Sequence, residues 1–288
     1  MTDPVVPIVN AGGSGRSEAL AGSRRLRETE PPFRFSVCTL VTRMEQYQRM
    51  LETFRSAGFT PDLCEFLYVD NTERNGYDAY QAFNLFLRTA RGRYVIVCHQ
   101  DVELIHDDLA ALEHRIAEVN ALDPRWALLG NAGGIDLKYK AVWISHGADA
   151  HFYREGEPFP QRVRSLDENF ILVKSEANLA VSGDLSGFHL YGTDACLIAD
   201  ILGYRAYVIA FHLYHRSTGT IDESFHRACR ELRGKYGRAL RARYVQTMIS
   251  RFYLSGSRLG RVLLGSFLAQ KVARLACRLR RLLTDRRS

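Results

Sequence analysis

The sequence predicts an α/β protein with a mostly parallel central sheet flanked by helices. Three observations carry this expectation. From Phe33 onward, short β-branched apolar runs alternate with stretches of helical periodicity. Their order, strand–helix–strand–helix–strand, needs right-handed crossovers, which build a parallel sheet. The run Tyr94–Cys98 reads as a strand buried on both faces and leads straight into His99, Gln100 and Asp101. A buried strand ending in polar groups delivers them to the carboxyl edge of the sheet, the crevice where open α/β sheets bind ligands.

Residues 1–32 are rich in Gly, Ser, Pro, Arg and Glu and lack apolar periodicity, so they predict a disordered leader. The AGGSG at 11–15 lacks the Lys-Ser/Thr and the preceding strand of a phosphate loop. FRFSVCTLV (33–41) predicts a strand, and 45–57 a helix with Tyr47, Met50, Leu51 and Phe54 on its apolar face. CEFLYVDN (64–71) predicts a second strand ending in Asp70 and Asn71, followed by a helix over 79–89 that Gly92 closes. Three strands thereby bring Thr39, Asp70, Asn71 and His99–Asp101 to one edge. A helix follows over 107–121, then a strand, WALLGNAGG (126–134), broken at its glycines. The span 135–162 is polar, aromatic and poorly periodic, and predicts a long functional loop with a short hairpin. Further on, a strand is expected around Asn169–Val173, a helix over Asp194–Leu202, a strand over 205–215, and helices over 223–236 and 241–253. The folded domain is expected over 33–253, with 254–288 as a helical tail.

A hydrophobic content of 46% with 25% charged residues fits an ordinary globular chain. The net charge of +7 is a local feature: from Arg258 to Ser288 nine basic residues meet one acidic residue, so the body sums to −1. A near-neutral body without a nucleic-acid motif argues against nucleic acid as a partner. The six cysteines form no Cys-x-x-Cys pair, and several sit in apolar runs, which fits buried free thiols in a reducing cytoplasm. No run predicts a transmembrane helix, and the first residues lack the layout of a secretory signal.

The motifs, taken together, resemble the family-2 glycosyltransferases of the GT-A fold, in particular a bacterial subgroup with His-Gln-Asp-Val in place of Asp-x-Asp. The carriers are His99-Gln100-Asp101-Val102, VDN at 69–71, Asn84 followed by ARGRYVIV (90–97), SLDENFILVKS (165–175), GFHLYGTDACLIADILGYRAYVI (187–209) and HLYHRSTG (212–219), in family order across roughly 34–240. The resemblance implies a nucleotide-diphospho-sugar transferase fold. It also implies a metal-dependent transfer of a sugar from a nucleoside diphosphate sugar to a glycan or lipid-linked acceptor, with inversion.

It implies Asp101 and His215 as ligands of Mn²⁺ or Mg²⁺, the imidazole suiting Mn²⁺ better. Thr39, Asp70, Asn71, Asn84, His99, Gln100 and Asp101 are expected on the nucleotide-sugar side, and Trp143 and His189 on the acceptor side. Many relatives carry an acidic residue two positions before the Asp of the second acidic motif, where this chain has Gly192. The general base is therefore open among Asp194, Asp167 and Glu168. Each candidate also has a plainer reading: Asp101 and Asp194 as helix caps, Asp70 and Asn71 as an Asx turn, His215 as a structural histidine. A reading from another class, a non-catalytic GT-A-like module that binds glycan or scaffolds partners, rests on Gly192.

In the tail, Leu268, Val272, Leu275, Leu279 and Leu283 share one helical face, with Lys271, Arg274, Arg278 and Arg281 beside it. This predicts a basic amphipathic helix suited to an anionic membrane surface, hence a peripheral position on the cytoplasmic face. A helix docked on the domain and a solvated basic tail are the alternatives.

Overall fold

A computed structural model describes residues 30–217, 219 and 221–284, so most of the expected leader lies outside the described residues. The expected first three strands are present as β1 (Phe33–Val41), β2 (Cys64–Asp70) and β3 (Gly92–Cys98), joined by α1 (Met44–Ser56) and α2 (Ala79–Thr89). The start of α2 is fixed by a capping box: the Asp78 carboxylate accepts from the Gln81 N–H, and the Gln81 side chain accepts from the Asp78 N–H. Gly92 does not close this helix. It opens β3, where a Cβ would stand 2.5 Å from the Ser36 nitrogen of β1, so only glycine lets the two strands approach.

The chain continues through β4 (Val102–Glu103), α3 (Leu109–Leu122), β5 (Trp126–Gly130), β6 (Ala132–Gly134), β7 (Lys140–His146), β8 (His151–Glu155), β9 (Gln161–Val163), β10 (Ser165–Leu166) and β11 (Phe170–Lys174). Then come α4 (Tyr191–Ile201), β12 (Arg205–Val208), β13 (Leu213–His215), α5 (Glu223–Ala239), β14 (Arg243–Gln246), β15 (Arg251–Leu254), α6 (Arg258–Gly265) and α7 (Phe267–Thr284). Among the described residues no helix is long and apolar enough to cross a membrane.

The main sheet has seven strands in the order β2-β1-β3-β11-β5-β12-β9. Strands β2, β1, β3, β5 and β12 run one way; β11 and β9 run against them. The sheet is thus mostly parallel, as expected. The antiparallel β11 has a consequence for the site: its entry, residues 167–169, lies at the same edge as the carboxyl ends of β3 and β5. Alternation along β3 divides the core. Tyr94, Ile96 and Cys98 pack with Met50 and Phe54 of α1 and Ile116 of α3. Val95 and Val97 pack on the other face with Phe83 and Phe86 of α2 and Cys196 of α4. Helices thereby cover both faces.

A second sheet runs in the order β10-β6-β7-β13-β4, with β8 on β7. It accounts for three departures from the sequence expectation. The expected strand 126–134 splits at Asn131, whose two flanks enter different sheets. The expected strand 205–215 likewise splits into β12 and β13. The expected loop 135–162 carries the long β7–β8 hairpin, in which Trp143 pairs with Arg154 and Ser145 with Phe152. The helix expected over 241–253 is instead the β14–β15 hairpin, in which Tyr244 pairs with Tyr253 and Val245 with Phe252. Its aromatic and β-branched residues favour the strand, and the Thr247 hydroxyl accepts from the Ile249 and Ser250 N–H groups to make the turn.

Candidate metal and nucleotide site

Two short strands build the site. After β3, the His99 N–H donates to the Asn169 carbonyl (3.0 Å), and the chain turns tightly as Val102 N–H donates back to His99 (3.3 Å). β13 then lies antiparallel to β4 with His215 opposite Val102, and Arg216 N–H donates to the Asp101 carbonyl (3.2 Å). Two histidines and a carboxylate far apart in sequence converge. His99 Nδ1 is 3.2 Å from His215 Nε2, and His215 Nε2 is 3.3 Å from Asp101 Oδ1. One ligand atom from each of the three lies within 4.8 Å of the others.

The electrostatics of this cluster suit a cation. Burial opposes ionisation of Asp101, but the hydrogen bond and charge of His215, with His99 and Ser217 behind them, outweigh it and hold the carboxyl well below its usual range. Burial, reinforced by His215, pushes His99 down to about 4. Near neutral pH this gives an ionised carboxylate at 101 and a neutral imidazole at 99, forms in which these two side chains can ligate a metal. Two nitrogens and one oxygen form a donor set that fits a divalent ion of the Mn²⁺ type better than Mg²⁺.

His99 and Asp101 of the cluster line a cavity of about 550 Å³. Ala82, Phe83 and Phe86 of α2 and Leu40 and Val97 of the sheet line an apolar slot. Thr42, Arg43, Gln100, Arg216 and Ser217 supply polar lining. Gln100 is held in place: its Oε1 accepts from the Thr42 and Arg43 N–H groups at 2.8 Å each, and its amide donates to the Thr42 hydroxyl. Arg216 is clamped by the buried Glu103 carboxylate at 2.7 Å, which Arg49 also engages at 3.0 Å. A cavity lined by aromatic and aliphatic side chains together with two arginines and part of a ligand cluster is suited to a base and its phosphates. A second cavity of about 580 Å³, lined by Arg162, Arg164, Cys196 and Arg205, lies apart from this cluster.

Tyr191, at the start of α4, links the cluster to the entry of β11. Its hydroxyl is 3.1 Å from His99 Nε2 and 3.2 Å from the Glu168 carbonyl oxygen. The preceding Leu190 adopts a left-handed backbone (φ 65°), a strained state for leucine that starts the helix three residues earlier than expected. Gly192 N–H donates to Glu168 Oε1 at 3.3 Å. A Cβ at 192 would lie 2.5 Å from the Leu166 carbonyl oxygen, so no acidic side chain fits there without a shift. The carboxylate over this position comes from Glu168. Burial and the neighbouring Asp167 push Glu168 up to about 8, against the pull of the Gly192 and Leu190 N–H groups.

The structure brings His99, Gln100, Asp101 and His215 together; Glu168 sits behind Tyr191, which does line the cavity, with the exposed Asp167 beside it, and neither carboxylate lines the cavity itself. Other expected residues lie elsewhere. Thr39 is fully buried within β1 against Met50 and Cys98 rather than at the edge, which Thr42 reaches instead. Asp70 turns back onto Thr72, accepting from its N–H (2.9 Å) and hydroxyl (2.7 Å). Asn71 closes its loop on the Tyr77 backbone, and Asn84 exchanges two hydrogen bonds of 2.9 Å with Val181.

Asp194 is fully buried and fully engaged: it accepts from Ser182 N–H, the Ser182 hydroxyl and the Tyr236 hydroxyl, each at 2.7 Å. It ties α4 to α5 and does not line the cavity. Trp143 packs edge-on against Phe152 and Phe159, and His189 lies 3.1 Å from the Ser224 hydroxyl; neither lines the cavity. The sequence reading missed Tyr191, Arg43 and Arg216. The basic residue directly after the ligating histidine was the available signal for Arg216.

No protein-family model matches the chain. Among solved structures, the chain is similar to several only loosely. GalNAc-T7 with UDP, GalNAc and Mn²⁺ aligns at TM-score 0.46 and 11% identity over 66% of this chain and 45% of that one. S. aureus TarS aligns at TM-score 0.45 and 14% identity over 70% and 39%, and A197 from STIV at TM-score 0.39 and 18% identity over 66% and 87%. Overlaps of this size carry no argument about chemistry, which rests on the site's own residues. Sequence similarity reaches further: the "ATP synthase subunits region ORF 6" protein of Fuscovulum blasticum is 39% identical over 241 residues, 79% of this chain and 93% of that protein. At that identity and coverage, the chain belongs to the same family as the ATP synthase subunits region ORF 6 protein of Fuscovulum blasticum.

Proposed function

We propose that the chain is a glycosyltransferase that takes a sugar from a nucleoside diphosphate sugar and passes it, with inversion, to a glycan or lipid-linked acceptor. The observation that carries this reading is the convergence of His99, Asp101 and His215, the first two of which line a cavity shared with apolar side chains and two arginines. Asp101, His215 and His99 would hold Mn²⁺ or Mg²⁺. When bound, the cation offsets the charge that develops on the departing diphosphate.

The protein's own groups do the rest. The slot between α2 and the ends of β1 and β3 receives the base. Arg43 and Arg216 meet the phosphates, and Arg216 is pre-set by Glu103, so little ordering remains at the moment of binding. Glu168 takes the proton from the acceptor hydroxyl as the new bond forms at the anomeric carbon and the bond to the diphosphate oxygen breaks. A carboxyl raised to about 8 is a base matched to neutral pH, and Asp167 beside it keeps the proton affinity high. Asp194 supports this arrangement from behind by fixing α4. Six unpaired thiols suit a reducing compartment, in line with a cytoplasmic place for the reaction.

A thermal-shift screen of nucleoside diphosphates and their sugars, with and without Mn²⁺, tests the reading. A ligand at 100 times its Kd should raise stability by about 2.7 kcal/mol. One nucleotide should do so in Mn²⁺ only. A screen in which no nucleotide shifts the transition under either condition would remove the donor site.

A further inference from the structure

The region after α5 is built unlike the rest of the chain. Among the described residues, nothing beyond Tyr236 is buried. The β14–β15 hairpin, α6 and α7 nevertheless form one connected unit: the Tyr244 hydroxyl donates to the Leu264 carbonyl at 2.9 Å, and the Tyr244 and Tyr253 rings lie 4.8 Å apart. The unit holds its large apolar side chains in water. Met248 and Ile249 at the hairpin tip are 99% and 98% exposed, and Phe267 and Val272 of α7 are 74% and 62% exposed. An exposed apolar surface of this extent marks an interaction site.

Charge narrows the occupant. From Leu240 to Thr284 there are ten Arg and Lys and no Asp or Glu. Along α7, Leu268, Val272, Leu275 and Leu279 recur at helical spacing, with Lys271, Arg274 and Arg278 at the flank; the side chains of Arg281 and Leu283 lie outside the described residues. A second copy of the chain would set ten cations against ten. A nucleic acid would satisfy the cations and leave the apolar side chains in water. A bilayer surface with anionic headgroups takes both: headgroups meet the cations and the acyl boundary receives the apolar face.

We infer that residues 240–284 form a membrane-surface module for anionic lipid, in which the Met248–Ile249 tip of the β14–β15 hairpin inserts and α6 and α7 lie in the interfacial plane. The hairpin gives the module a second point of insertion besides the amphipathic helices, which fixes the orientation of the attached domain relative to the surface. This inference does not depend on the transfer chemistry, and its readout contains no nucleotide.

The test is cosedimentation of the full chain with vesicles of phosphatidylcholine alone or mixed with phosphatidylglycerol. Binding is expected to the mixed vesicles and to fall as salt rises, because exposed charges are screened beyond about 10 Å at 0.1 M. Replacing Arg274→Gln or Arg278→Gln should weaken it about fivefold each. The double variant Met248→Asp/Ile249→Asp, at wholly exposed positions, should keep the wild-type circular dichroism spectrum and lose roughly tenfold or more in affinity. Wild-type protein that stays in the supernatant with mixed vesicles at low salt overturns the module. A tip variant that binds as tightly as wild type overturns the inserted hairpin. Equal binding to pure phosphatidylcholine overturns the anionic headgroup as the partner.

Discussion

His99 Nδ1 and His215 Nε2 stand 3.2 Å apart, 116 positions distant in the chain, with Asp101 Oδ1 3.3 Å from His215 Nε2. Neither histidine alone distinguishes a ligand from a structural residue. The β4–β13 pairing makes the set, because it holds His215 opposite Val102 and so beside the turn that carries Asp101.

Glu168 is expected to be the base. Glu168→Gln should lower turnover by about 10²–10⁴-fold while leaving nucleotide affinity nearly unchanged, the usual size of a general-base contribution. Asp194→Asn should not show this split between turnover and binding. Steady-state kinetics on both variants, with donor affinity measured separately, checks the assignment. Equal turnover in Glu168→Gln and wild type would return the base to Asp167 or Asp194.

The same group sets a pH dependence of stability. Folding raises the Glu168 carboxyl from 4.5 to about 8 through burial and Asp167. Between those values the folded state binds more protons than the unfolded state, so Glu168's contribution is fully present below about 4.5 and is lost as pH rises toward 8. Glu168→Gln should flatten the decline in melting temperature over that window. Parallel profiles for the two proteins would contradict it.

Asp194→Ala should destabilise rather than specifically inactivate. It leaves the Ser182 N–H and hydroxyl and the Tyr236 hydroxyl without their acceptor, at about 1–3 kcal/mol for each buried group left unpaired. Denaturant unfolding measures this loss. A variant as stable as wild type would show that α4 and α5 are held by other contacts.

Gly192→Ala drives a methyl toward the Leu166 carbonyl at 2.5 Å. Overpacking of this kind costs about 1–3 kcal/mol, and relief by moving α4 would carry Tyr191 and Glu168 out of place. Reduced stability together with reduced turnover is expected. A fully active, stable variant would mean that the glycine is a matter of indifference.

The legible parts of the sequence were those governed by local patterns. The apolar run of β3, the helical periodicity of α1 and α2 and the polar residues after Cys98 were enough to mark the sheet and the edge that carries the candidate site. What was not legible depends on distant partners. Thr39 and Thr42 differ by three positions, and only the register of β1 against β3 places one under Met50 and the other in the cavity. Asp194 looks like an acid at a helix start, but its orientation is decided by Ser182 and Tyr236 on other segments. The 241–253 stretch has enough apolar residues at helical spacing to suggest a helix, while cross-strand pairs such as Val245 with Phe252 favour the hairpin. Gly192 read as a missing carboxylate; Glu168, just ahead of β11, places one against its N–H.

The central claim is that His99, Asp101 and His215 form a metal-dependent nucleotide site. Calorimetric titration of nucleoside diphosphates such as UDP and GDP into the wild-type chain and Asp101→Asn, each in Mn²⁺ and in EDTA, tests it most directly. The account predicts binding of one nucleotide by the wild type in Mn²⁺, weakened by at least about 10–100-fold in Asp101→Asn, since even partners behind a ligand are worth that much in metal affinity. It predicts a comparable loss in EDTA for the wild type, and no further effect of EDTA on the variant. Nucleotide binding that is equally tight in EDTA and in Asp101→Asn would contradict it.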